Sequence, residues 1–145
     1  MIVFGTILAL LAVVLLIVGG LAAARKLPGN SVVGIRVAEV RKSRKIWDAA
    51  HHVAGMFWLV GGVALVFGAL VAFRAEGSMW LIPAATVLVA LIAVGAGANA
   101  GARAAATIDV AEELEKKSQP AAPAPAVDLE ALRRAASQAD RHEER

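Results

Sequence analysis

The chain has 145 residues, 59% of them hydrophobic and only 19% charged, with a mean hydropathy of +0.67. Soluble domains carry about 45–50% apolar and about 25% charged residues, so this composition argues against a water-soluble globule and for a bilayer as solvent. The absence of cysteine excludes disulfides, thiolate metal sites and thiol catalysis, and the net charge of +3 is spread too unevenly to form the basic face of a nucleic-acid-binding module.

The first apolar run, 2–24, holds no charge and only one hydroxyl, Thr6. At 1.5 Å per residue it covers about 30 Å or slightly more, the thickness of a hydrocarbon core, and it reads as a first transmembrane helix. A cleaved signal peptide is the rival reading. It is disfavoured because no basic segment precedes the run and the basic residues follow it. The chain is then polar to His52, carrying Arg25, Lys26, Arg36, Arg41, Lys42, Arg44 and Lys45 against Glu39 and Asp48, a net +5. A second uncharged run, 53–73, is followed by the short neutral connection Arg74 to Ser78. Trp80 and Pro83 open a third run, 80–102, with Pro83 in the first turn, where its missing N–H costs little. Trp47, Trp58 and Trp80 lie near span ends, as tryptophans at headgroup level do. The expected fold is therefore all-α: an integral membrane domain, 1–102, with spans 2–24, 53–73 and 80–102.

Orientation follows from the basic residues of the short loops. Seven between the first and second spans, against Arg74 alone between the second and third, place the first loop in the cytoplasm. The N-terminus is then outside, and the tail 103–145 is cytoplasmic. In that tail, Thr107 to Lys117 can extend the third helix. The Pro/Ala linker 118–126 reads as extended or disordered, and Asp128 can cap a short polar helix carrying Leu129 and Leu132.

The densest pattern lies between the first two spans: Pro28, Asn30, Gly34, Arg36, Ser43, Trp47, His51 and Gly55. Pro28-Gly29-Asn30 suits a turn, Gly34 permits close backbone approach, and Ser43 suits an N-cap. Trp47, His51 and Gly55 are spaced by four and share a helix face. In order and spacing these residues resemble the SdpI family over about Lys26 to Gly55, although Val37-Ala38 and Arg44-Lys45 stand where many members have Thr-Pro and acidic residues. The resemblance implies a small multi-pass protein of a bacterial cell membrane, concerned with immunity to a secreted toxic peptide or with membrane signalling. It also implies binding roles for Pro28, Asn30, Gly34, Arg36, Trp47 and His51.

Each of these residues also has a plainer reading. Arg36 and the cluster 41–45 can serve only to fix topology, or can contact anionic lipid. His51 and His52 point about 100° apart on a helix with no carboxylate four residues on, so a metal site is not expected. His51 is expected to be an interfacial polar residue satisfied by water or headgroups. Gly55 and Gly62, Gly61 and Gly68, and the stretch Gly97 to Gly101 suit close helix packing, and Asn99 suits a bond across a helix interface or a place at the cytoplasmic boundary. With no ionisable residue inside a span, no paired carboxylates and no phosphate-cradling loop, neither an enzyme, a cofactor site nor a stand-alone pump is expected. The alternative to the family role is an accessory subunit that packs by its glycine faces in a larger membrane complex, or in an oligomer, and presents its tail to a cytoplasmic partner.

Overall fold

The computed structural model describes residues 2–29, 34–119, 130 and 133–134. Three α-helices carry the fold: α1 (Ile2–Ala23), α2 (Arg44–Ala72) and α3 (Leu81–Ser118). Short 3-10 turns, Glu39–Arg41 and Gly77–Trp80, lead into α2 and α3. No strand occurs among the described residues. Each helix includes a stretch long and apolar enough to cross a membrane, so the chain is an all-α membrane protein. Met1–Glu113 form one compact unit and Leu114–Arg145 a second. The described part of the second contains the last turn of α3, where the Ser118 hydroxyl donates to the Glu115 carbonyl at 2.9 Å. The Pro/Ala linker and Asp128, Leu129 and Leu132 lie outside the described residues.

The helices outrun the apolar runs. The second run, 53–73, marks only the later part of α2, which begins at Arg44 because the Ser43 hydroxyl accepts the Ile46 N–H at 3.2 Å and closes its N-terminus. The third run ends near 102, whereas α3 continues to Ser118. Apolar composition reports the stretch in contact with lipid, and helix ends are set by caps and by packing beyond it.

α2 is the central helix, with 44% of its apolar window buried against 22% for each neighbour. In hydrocarbon, exchanging a lipid contact for a leucine contact gains little, so helices associate where small residues let backbones meet. The glycines of α2 divide this task between two neighbours. A Cβ on Gly55 would lie 2.5 Å from the Ala23 nitrogen and 2.7 Å from the Gly19 carbonyl oxygen, and one on Gly62 would meet Leu16, so both face α1. Gly68 faces α3 instead, against Thr86, and Gly61 lies between the two, its Cβ position 3.3 Å from both Ala90 of α3 and Leu15 of α1. From α3, Gly97 and Gly101 approach the carbonyls of Ala54 and Ala50. The large side chains of α1 that point away, including Leu10, Val14 and Ile17, are exposed as a lipid-facing surface requires.

Trp47 and Trp58 are held inside the bundle. Both are buried, at 7% and 6% exposure, beside the close-packed small residues of the bundle. Trp80 is half-buried and meets the Phe4 ring edge-on, with centroids 5.4 Å apart.

Candidate functional site

The polar segment between α1 and α2 folds against the end of the bundle. α1 stops by turning into a left-handed residue, Arg25 (φ 59°), after which the Lys26 N–H donates to the Leu21 carbonyl at 2.8 Å and the Arg25 N–H to the Ala22 carbonyl at 3.0 Å. This is the hydrogen-bond pattern of a Schellman cap, here with arginine where glycine is usual. The next residue, Leu27, is buried, and its carbonyl accepts the indole N–H of Trp47 at 3.1 Å. The segment leaving α1 is thereby tied to the first turns of α2.

A second tie lies at Gly34 and His51. The Ile35 N–H donates to His51 Nε2 at 3.0 Å, and His51 Nδ1 lies 2.9 Å from the Trp47 carbonyl. A backbone N–H can only donate and a carbonyl can only accept, so His51 is held as the neutral tautomer with its proton on Nδ1. The ring is fully buried, stacks on Trp47 at 4.0 Å between centroids and meets Trp58 edge-on at 6.2 Å. Both ring nitrogens are taken by backbone partners, which leaves neither to hold a metal ion. His51 is therefore satisfied by the protein itself and not, as expected from the sequence, by water or headgroups.

Gly34 is the residue this arrangement cannot replace. Its φ is +121°, and a Cβ there would overlap His51 Nε2. Ile35, beside it, is 7% exposed and reaches over Gly101 of α3. His52, one residue on, points elsewhere: its Nδ1 lies 2.6 Å from the Ala23 carbonyl and serves the C-terminal end of α1.

Of the residues singled out from the sequence, Gly34, Trp47 and His51 converge on one joint, with Gly55 one turn further along the same face. Pro28 and Arg36 are exposed, and Asn30 lies outside the described residues. Asn99 is also exposed and does not share the buried face of Gly97 and Gly101. A further set was missed. Lys42 Nζ lies 2.5 Å from Asp109 Oδ2 and 3.7 Å from Glu113 Oε1, and Lys45 Nζ lies 3.0 Å from Glu112 Oε1. The continuation of α3 thus brings an acidic face to the basic start of α2. The Asp109 hydrogen bond holds the Lys42 ammonium above the ordinary lysine range, against a smaller opposing effect of desolvation. The signal available was the spacing of Asp109, Glu112 and Glu113 by three and four, which places them on one helical face. Arg44 Nε is 3.0 Å from Asp48 within α2.

Three membrane-capable helices, with a polar joint closed over one end, define a small helical membrane protein whose first loop is a folded element. Residues 26–96 match the model of the SdpI/YfhL protein family, and this stretch, from the first loop into α3, belongs to that family. No curated protein and no solved structure matches it.

Proposed function

We propose that the protein acts without catalysis in a bacterial plasma membrane, either in immunity to a secreted toxic peptide or in membrane signalling. Its N-terminus would lie outside, and its basic loop and tail in the cytoplasm against an anionic lipid surface. The observation that carries this reading is the closed joint itself. Trp47 and His51 use their polar groups on the backbone of Leu27, Ile35 and Trp47, around the close approach of Gly34, which suits a shaped recognition or signalling element.

Deleting the gene should sensitise the host to a secreted peptide, with resistance restored by the intact chain and not by Trp47→Ala. Unchanged survival against the peptides secreted by the host and its neighbours would remove the immunity role. Recovery from native membranes with a stoichiometric partner would favour an accessory subunit instead. Because the chain has no cysteine, single-cysteine variants can test orientation. Ser78→Cys should label from outside intact cells, and Ser118→Cys only after permeabilisation.

A further inference from the structure

The loop cations are unequally engaged. Lys42 and Lys45 face the acidic side of α3, and Arg44 is held through Nε by Asp48. Arg41, which ends the 3-10 turn before α2, is exposed and has no ion pair among the described residues. Arg41 and Arg44 together line a concavity of about 380 Å³ with Gly29, Val40, Ser43 and Trp47. That volume lies within the range of small-ligand pockets.

The lining has a definite chemistry. Val40 is fully buried and Trp47 nearly so, which gives the pocket an apolar back, and nothing stands within 4 Å of where a Gly29 side chain would begin. The Ser43 oxygen already accepts the Ile46 N–H, which leaves its O–H as a donor. No carboxylate is among the described residues of the lining. Two guanidinium groups and a hydroxyl donor, on an apolar backing, match a tetrahedral oxyanion. The Trp47 indole is bonded to Leu27, just past the end of α1, so the pocket lies immediately beyond the membrane helices.

We infer that this pocket binds a phosphate mono- or diester through Arg41, Arg44 and Ser43. The inference rests on the reading that this end of the bundle meets an anionic lipid surface, and it goes further in assigning the recognition to two of the seven loop cations.

The test uses the full chain in neutral detergent micelles, titrated with dihexanoyl phosphatidylglycerol and followed by calorimetry. Arg41 is exposed, so Arg41→Gln should fold normally, and it should weaken saturable binding about tenfold. Lys26→Gln removes the same charge from the same end of the molecule and should leave the affinity within about twofold, as for a cation that makes no direct contact. Equal weakening by both variants would overturn the site while leaving diffuse attraction to anionic lipid intact. The absence of saturable binding would overturn the site as well. Inorganic phosphate supplies the second arm. Displacement of the lipid by phosphate at matching concentrations would support the site with a free phosphate compound as its ligand, and failure to displace it would support the site with a lipid headgroup.

Discussion

The two ends of the helical bundle each contain a glycine at positive φ, and the two glycines are in opposite situations. Gly34 (φ +121°) has His51 where its side chain would be, whereas Gly77 (φ +51°), in the turn between α2 and α3, has nothing within 4 Å of that position. At the Gly77 end the chain reverses through a few residues and a 3-10 turn with no buried residue. At the Gly34 end it passes through two hydrogen-bonded ties and an aromatic stack before entering α2. A connection needs only a turn. The elaboration of one end alone fits the proposal that its shape serves more than joining two helices.

Substituting alanine at Gly34 should produce the largest effect. The new Cβ displaces His51, the Ile35 N–H loses its acceptor and the backbone is strained, a combined loss of about 3 kcal/mol or more. Amide exchange at Ile35 should accelerate and thermal unfolding in detergent should shift down, while circular dichroism keeps the signal of the three helices. Retained protection at Ile35 would mean that the joint does not depend on this contact. Trp47→Phe keeps an aromatic ring on His51 but removes the indole N–H, leaving the Leu27 carbonyl without its donor, at a cost of about 1–2 kcal/mol. Protease should then cut between Leu27 and Gly34 faster than in the parent chain, with the Gly77 turn unaffected.

The spans were legible because hydrocarbon demands long uncharged runs, and 2–24, 53–73 and 80–102 each lie on a helix that can cross. The glycines of α2 stood out by spacing, but spacing by seven cannot tell that Gly55 and Gly62 meet α1, Gly68 meets α3 and Gly61 meets both. At the joint, Gly34, Trp47 and His51 stood out by spacing and by resemblance, yet their partners are backbone groups of Leu27 and Ile35, which sequence does not distinguish from any other peptide unit. That Trp47 and Trp58 are enclosed by their neighbours was not legible, because a place near a span end says nothing of which helix face a ring takes. The acidic face of α3 was hidden by a net charge summed over the whole tail. Charge counts carry no information on which residues a continuing helix brings within reach of Lys42 and Lys45.

Gly77→Ala sharpens the contrast from the other end. With open space at the side-chain position, only the backbone conformation opposes the substitution, at about 1 kcal/mol. The fall in unfolding temperature should be a fraction of that for Gly34→Ala. Equal falls would mean that φ, and not the His51 contact, makes Gly34 necessary.

The smallest effect should separate two layers within the loop end itself. The buried ties at His51 and Trp47 involve no ions, whereas Lys42 with Asp109 and Glu113 forms an exposed outer layer. The folded protein holds Lys42 above its ordinary value of 10.5. The contribution of the pair is therefore complete below that value and is lost as pH rises through the raised one. Other lysines titrate in the same window, so the measurement is the difference in unfolding temperature between the parent chain and Lys42→Gln. That difference should be small and constant from neutral pH upward and should close in strongly alkaline solution. It should also close in about 1 M salt, where the screening length falls to about 3 Å, since an exposed pair is readily screened. Amide protection at Ile35 should stay the same in high salt, because its acceptor is a neutral imidazole. Loss of that protection together with the ion pairs would show that the two layers are one, and that the acidic face of α3 holds the joint closed.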